Sequence, residues 1–143
     1  TNISPDVPIA VFDSPATKVY YNTILVNGSY PNGIEYRFTR TTGVDIKNNL
    51  TDASIVARDG ASGSVANNVT NAAASWFVNP AAGDLHLNQT AAVAIDKGVA
   101  VSVTDDFDGQ TRPQGATSDI GADEYWPATT TSAPASPTNL ILY

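Results

Sequence analysis

The chain has 143 residues, of which 42% are hydrophobic, so it has the length of one domain and can bury a core. Its 14 acidic residues outnumber 7 Lys and Arg, and the net charge of -7 argues against nucleic acid and anionic membranes as partners, because phosphates are bound by clustered cations. The absence of Cys excludes disulfides and zinc–thiolate sites, and no apolar run approaches the about 20 residues of a membrane span.

Two stretches in the first half of the chain alternate apolar and polar residues, at residues 34–38 and 44–46. Alternation of this kind predicts strands that bury one face and expose the other. Glycines and prolines interrupt the pattern at intervals that are too short for a helical domain, and no segment carries a helical period. The chain is therefore expected to be all-β.

A loose repeat runs through the same region. Residues 46–53 recur as residues 65–72 with an offset of 19 positions, and residues 20–27 can be laid on the first copy with an offset of 26. Each copy reads as a short strand that runs into a turn containing Asn, and repeats of this length predict stacked coils. Asn at the same place in successive coils can share side-chain hydrogen bonds, so we assign these Asn a structural role. Because an open first coil leaves unpaired strand edges, residues 1–13 are the expected cap.

Five blocks carry the most specific signal, at residues 77–80, 83–87, 94–98, 106–113 and 119–124. In this order and spacing they resemble the C-terminal end of secreted bacterial right-handed parallel β-helix proteins. The resemblance implies a right-handed parallel β-helix of few coils over residues 1–126, in a secreted protein that is extracellular or attached to the cell surface. Such proteins mostly handle polysaccharides, so a polysaccharide is the partner that the resemblance implies.

The composition changes after Tyr125. Residues 127–137 are rich in Pro, Thr and Ser and predict a linker, whereas residues 138–143 resume an apolar pattern, as a tail or as the start of a following domain. The chain is therefore expected to be one module of a longer protein. It is similar in this respect to the β-helical xylan-binding modules attached to xylanases of gut bacteria, which implies a covalently linked catalytic domain as a second partner.

Aromatic and polar side chains are the expected glycan contacts, because sugar rings pack on aromatic faces and hydroxyls need hydrogen-bond partners. The aromatic residues expected at the surface are Trp76, Tyr30, Tyr20 and Trp126. The polar residues expected to point outward beside them are Glu35, Arg37, Asn49 and Asn68. Tyr36 and Phe38 are placed in the core instead, since they share the parity of Ile34.

Catalysis is the alternative to binding. A glycoside hydrolase needs two carboxylates about 5 Å or about 6.5–9.5 Å apart. The acidic residues that could supply such a pair are Asp105, Asp106, Asp108, Asp119, Asp123 and Glu124. We favour a structural role for these residues, in which Arg112 bonds neighbouring carboxylates. A lyase would need a base, and the only histidine, His86, alternates with two leucines and is expected to be an ordinary outward-facing strand residue.

No cofactor, metal ion or catalytic residue is expected, although Asp105, Asp106 and Asp108 offer carboxylate oxygens around a turn, as a structural calcium site would. The first hypothesis is a monomeric, non-catalytic carbohydrate-binding module for xylan or another neutral or lightly charged plant cell-wall glycan, which targets an attached glycoside hydrolase. The second is the C-terminal fragment of a β-helical polysaccharide lyase or hydrolase. The third is a structural stalk or adhesin segment.

Overall fold

The computed structural model describes residues 7–127. Its ten strands are β1 (Ile9–Phe12), β2 (Lys18–Tyr20), β3 (Thr23–Ile24), β4 (Asn32–Arg37), β5 (Val44–Lys47), β6 (Leu50–Thr51), β7 (Ser54–Arg58), β8 (Gly63–Ala66), β9 (Phe77–Asn79) and β10 (Asp84–Leu87). The helical structure in this part of the chain consists of two 3-10 turns, Ala74–Trp76 and Pro80–Ala82, so the expected all-β class is confirmed. Neither turn approaches the length and apolar character that a membrane crossing requires, and no other helix occurs among these residues.

Parallel sheets organise the first half of the chain. One sheet has the order β1-β4-β7, a second has the order β2-β5-β8, and a third pairs β3 with β6. The chain therefore makes three successive passes, and each strand pairs with the strand at the same place in the next pass. In the third pass a single parallel bridge from Val69 to Leu50 continues the β3-β6 sheet.

The register agrees with one predicted offset and corrects the other. Ile46 pairs with Val65, which is the predicted offset of 19 positions. Val19 pairs with Ile46, so the offset between the first and second passes is 27 and the predicted value of 26 is wrong. A slip of one residue would exchange the two faces of the strand, whereas the observed register keeps both Val19 and Ile46 buried. It also aligns Tyr21 with Asn48, and both residues have left-handed backbone conformations, with φ of 54° and 57°.

An asparagine ladder, formed by Asn22, Asn49 and Asn68, closes the same corner of all three passes. The Asn22 side-chain amide donates to Asn49 Oδ1 at 2.8 Å, and the Asn49 amide donates to Asn68 Oδ1 at 2.8 Å. The backbone N–H groups of Asn22 and Asn49 donate to the same two oxygens. Since Asn49 is fully buried, the structural role predicted for the repeated Asn is confirmed.

The second half of the chain folds differently. β9 and β10 pair antiparallel, which the expectation of parallel strands throughout did not include. The reason is the tight connection through residues 80–83, which ends at Gly83 with φ of 80°, because parallel neighbours need a longer crossover. The loops that follow pack back on the parallel sheets, where the Gly121 N–H donates to the Asn48 carbonyl and the Ala122 N–H donates to Thr23 Oγ1, both at 2.9 Å.

Two apolar clusters form the core. The first lies among the parallel sheets and consists of Val11, Val19, Ile24, Val26, Ile34, Tyr36, Val44, Ile46 and Ala53. The second joins Leu50 to the second half of the chain and consists of Leu50, Ala72, Phe77, Leu87, Ala91, Ala94 and Ile120. Tyr36 is buried as predicted, but Phe38 is exposed, because its left-handed φ of 75° ends the alternation of β4.

Only part of the predicted domain organisation lies within the described residues. Within the expected cap, Ile9–Phe12 is strand β1, which pairs with β4 at the edge of its sheet. Residues 1–6 lie outside the described part of the chain, as do residues 128–143, which include most of the predicted linker and all of the predicted tail.

Replacing Asn49 tests the ladder. Asn49→Ala removes a buried amide that donates to the carbonyls of Val19 and Lys47, and should lower the free energy of unfolding by about 2–3 kcal/mol. Asn71→Ala, at an exposed Asn, is the matched control and should have little effect. Urea denaturation followed by circular dichroism measures both; equal stability of the two variants would contradict the ladder's role.

Candidate functional site around His86

The four aromatic residues expected to bind glycans have different surroundings. Trp76 and Tyr30 are half-buried and pack against the second and first apolar clusters, respectively. The Tyr20 hydroxyl donates to the Asp45 carboxylate, which raises the pKa of Tyr20. Trp126 is 51% exposed. Of these four rings, Trp126 therefore offers the most open surface.

The polar residues expected beside them are largely engaged within the protein. Glu35 is only 1% exposed, which corrects its predicted outward position. It lies on the central strand β4, where Asn32 and Arg58 donate to its carboxylate at 2.6 and 3.2 Å. Arg37 donates to Asp59 at 2.7 Å and lies over the rings of Phe12 and Phe38.

Asn49 and Asn68 also differ from their predicted roles as outward glycan contacts. Asn49 is fully buried in the ladder, so its side chain cannot reach a glycan. Asn68 is half-buried, and its amide donates to the backbone carbonyls of Ile46 and Ala66. Asn68 does line a pocket of about 310 Å³ on the last pass, together with Asn67 and Thr70.

The three carboxylates considered for calcium, those of Asp105, Asp106 and Asp108, have different surroundings. Asp106 is buried, and its Oδ1 accepts the N–H groups of Asp108 and Gln110 while its Oδ2 accepts that of Glu124. Asp105 is exposed, whereas Asp108 is hydrogen-bonded to His86. The turn is therefore held by Asp106 and by backbone groups.

Arg112 forms the structural network predicted for it. Its side chain is 1% exposed and donates to Glu124 Oε1 at 2.7 Å. It also donates to the carbonyls of Gly121 and Ala122 at 3.0 and 2.6 Å, and its guanidinium lies 4.2 Å from the centre of the Tyr21 ring. Arg112 thus ties two of the C-terminal blocks to the first pass.

His86 is the centre of a charged cluster that the sequence did not reveal. It lies on β10, and its Nδ1 is 2.5 Å from Asp84 Oδ1, two residues earlier on the same strand. Its Nε2 is 2.7 Å from Asp108 Oδ2. The hydrogen bond to Asp84, together with that to Asp108, raises the pKa of His86 to about 9. His86 is therefore an imidazolium at neutral pH.

Asp123 completes the cluster from the buried side. It is 4% exposed, and its Oδ2 accepts the backbone N–H of Leu87 at 2.6 Å. Burial raises the pKa of Asp123 to about 6. A carboxylate oxygen of Asp123, one of Asp108 and a ring nitrogen of His86 all lie within 4.8 Å of one another.

An open pocket of about 500 Å³ adjoins His86. Ala82, Leu85, Phe107 and Ala122 supply apolar lining, and Asp84 and His86 supply the charged groups. Phe107 is 56% exposed, and the centre of its ring lies 4.8 Å from that of the His86 ring. An apolar lining with a few fixed polar groups is typical of small-ligand sites.

This arrangement restricts the chemistry. Hydrogen bonds to Asp84 and Asp108 engage both ring nitrogens of His86 and raise its pKa to about 9, which favours the protonated ring over the free base that proton abstraction requires. The spacing of Asp84 and His86 on one strand face was a signal in the sequence, because residues two apart on a strand point the same way. Asp108, Asp123 and Phe107 reach His86 only through the tertiary fold.

No protein-family model, curated protein or solved structure matches this chain. The resemblance of the C-terminal blocks to β-helix proteins therefore stays a prediction, and the functional proposals depend on the geometry around His86.

The raised pKa values of two buried carboxyl groups predict how the stability of the fold changes with pH. Burial raises the pKa of Asp119, as it does that of Asp123, from 3.8 to about 6. The folded chain thus holds these protons more tightly than the unfolded chain, so their contribution to stability is complete below pH 3.8 and is lost as pH rises through about 6. Thermal denaturation in EDTA should show stability falling over this interval.

Asp123→Asn is the matched variant for this measurement. An asparagine can still accept the Leu87 N–H but does not titrate, so the slope between these pH values should become shallower. An unchanged slope would contradict the assignment to Asp123.

Proposed function

We propose that the chain is a short right-handed parallel β-helix that acts as a non-catalytic carbohydrate-binding module. Its ligand would be xylan or another neutral or lightly charged plant cell-wall glycan, bound at the His86 pocket. The observation that carries this proposal is the exposed Phe107 ring beside the charged groups of Asp84 and His86. In this role the module would be secreted and monomeric, and would target a covalently linked glycoside hydrolase to its substrate.

The three parallel passes support the fold proposal. Strands at equivalent places pair in parallel across successive passes, and the asparagine ladder repeats at the same corner. Stacked passes of this kind form extended, preformed surfaces. A preformed surface loses little conformational freedom on binding, which suits a module that must hold a polymer through few contacts.

The pocket chemistry supports a sugar ligand. The exposed part of the Phe107 ring can pack against the C–H face of a sugar. Asp84 provides carboxylate oxygens that accept hydrogen bonds from hydroxyls, and the His86 ring is fixed in place by its bonds to Asp84 and Asp108. An apolar platform with oriented polar groups at its edge provides both affinity and orientation.

The charges favour a neutral glycan. Asp84, Asp108 and Asp123 surround the single His86, and the whole chain carries a net charge of -7. A polyuronate would approach this surface against repulsion. Xylan and other weakly charged polymers would not meet that barrier.

A glycoside hydrolase is the second candidate, and the proximity of two carboxylates favours it. Carboxylate oxygens of Asp108 and Asp123 lie within 4.8 Å of each other, and the raised pKa of Asp123 suits a general acid. Against this reaction, Asp123 is almost completely buried and Asp108 is bonded to His86. Binding without hydrolysis is therefore the better-supported function.

Phe107→Ala tests the binding proposal. Loss of the ring should weaken glycan binding about tenfold or more, because a central aromatic contact commonly contributes that much. The control is Phe38→Ala, which removes another exposed phenylalanine away from the pocket and should leave affinity unchanged. Affinity electrophoresis against xylan, β-glucan, mannan, pectin and alginate measures the effect.

Product assays on the same samples separate the alternatives. Reducing ends would indicate a hydrolase and unsaturated products a lyase, and either would overturn the non-catalytic proposal. If none of the glycans retards the chain during electrophoresis, the hypothesis of a structural stalk or adhesin segment is favoured instead. If Trp126→Ala abolishes binding and Phe107→Ala does not, the glycan site lies at the exposed Trp126 and the assignment to the His86 pocket is wrong.

A further inference from the structure

We propose that His86, Asp108 and Asp123 bind a divalent metal ion of the zinc class, with Asp84 holding the histidine ring in position. The site differs from the calcium site considered from the sequence, since it uses a ring nitrogen and two carboxylates from separate parts of the chain. It does not rest on the proposed glycan binding, and its test contains no glycan.

The three ligand atoms converge from different elements. His86 comes from strand β10, and Asp108 and Asp123 come from the two loops that the Arg112 network joins. Their nitrogen and oxygen atoms lie within 4.8 Å of one another, and His86 Nε2 is 2.7 Å from Asp108 Oδ2. Zinc bonds of about 2.0–2.2 Å at tetrahedral angles separate ligand atoms by about 3.3–3.6 Å, so small side-chain movements suffice.

Asp123 provides an independent reason to expect a cation. Its side chain is almost completely buried, and the only hydrogen bond that the described residues give it is from the Leu87 N–H to Oδ2. A carboxylate that is almost completely buried and accepts a single hydrogen bond from the described residues is costly unless a proton or a cation compensates it. Asp119, a neighbouring buried carboxylate, differs in that both of its oxygens accept backbone N–H groups.

Asp84 forms the hydrogen bond to the second ring nitrogen that metal-binding histidines usually have. Its Oδ1 lies 2.5 Å from His86 Nδ1, so Nδ1 keeps its proton and Nε2 faces Asp108. A carboxylate that orients a ligating histidine in this way commonly affects metal affinity about 10–100-fold. On metal binding, Nε2 would release its proton to solvent, and its bond to Asp108 would be replaced by two metal–ligand bonds.

The type of the ligand atoms and their exposure to solvent indicate which metal ion the site would bind. One imidazole nitrogen with two carboxylates and no thiolate suits zinc and related transition ions better than calcium, which prefers six to eight oxygens. The His86 side chain is 42% exposed and that of Asp108 is 37% exposed, so the ion can enter from solvent and complete its coordination with water.

Isothermal titration calorimetry of the EDTA-treated and desalted chain with zinc chloride tests the proposal, with manganese and calcium chloride as separate titrations. We expect saturable zinc binding at one site per chain, and weaker or undetectable calcium binding. Cobalt chloride gives an optical readout, since tetrahedral cobalt absorbs strongly in the visible range. Absence of zinc binding, or tighter binding of calcium, would overturn the assignment.

Matched variants locate the ion. His86→Gln and Asp123→Asn should each weaken zinc binding about tenfold or more, and Asp84→Asn should weaken it and shift the cobalt spectrum without removing a ligand. Asp59→Asn, at an exposed carboxylate bonded to Arg37, should bind zinc like the unaltered chain. Circular dichroism verifies the folding of each variant. Because His86 is partly exposed, His86→Gln should still fold if Asp123→Asn does not, and the test then relies on His86→Gln. Equal zinc affinity in His86→Gln and Asp59→Asn would contradict the site.

Discussion

The buried ion pair between Arg112 and Glu124 is the interaction on which the arrangement of the second half of the chain depends. Both side chains are 1% exposed, and Arg112 also donates to the carbonyls of Gly121 and Ala122. Removing one member of such a pair leaves a buried charge without compensation, at a cost of about 3–5 kcal/mol. Because Asp108 and Asp123 lie in the two loops that this pair connects, the charged cluster at His86 depends on an ion pair between two residues outside the cluster.

The acidic residues of this region divide into two groups by their hydrogen bonds. Asp106, Asp119 and Glu124 use both carboxylate oxygens to accept backbone N–H groups and therefore shape loops. Asp84 and Asp108 are bonded to His86, and Asp123 lies close to them. In the second group the backbone N–H bonds of Asp84 and Asp123 each use only one carboxylate oxygen, so oxygens remain for a ligand, and both functional proposals concentrate on this group.

The His86 pocket lies where the chain leaves parallel pairing. The asparagine ladder and the parallel sheets use their polar groups internally, whereas the antiparallel pair β9-β10 and the following loops leave Phe107 and His86 accessible. Functional groups commonly lie on loops that a rigid scaffold positions, because a loop can change its side chains without disturbing the core. The parallel passes would serve as that scaffold.

The sequence by itself determined the all-β class, the offset of 19 between the second and third passes, the structural role of the repeated Asn and the network around Arg112. These features follow from local alternation and from short motifs, which neighbouring residues specify. Only the tertiary structure decided that Glu35 is buried, that the first offset is 27 and that His86 meets Asp108 and Asp123. These outcomes depend on which strands become central and on how distant loops pack, and no local pattern encodes either.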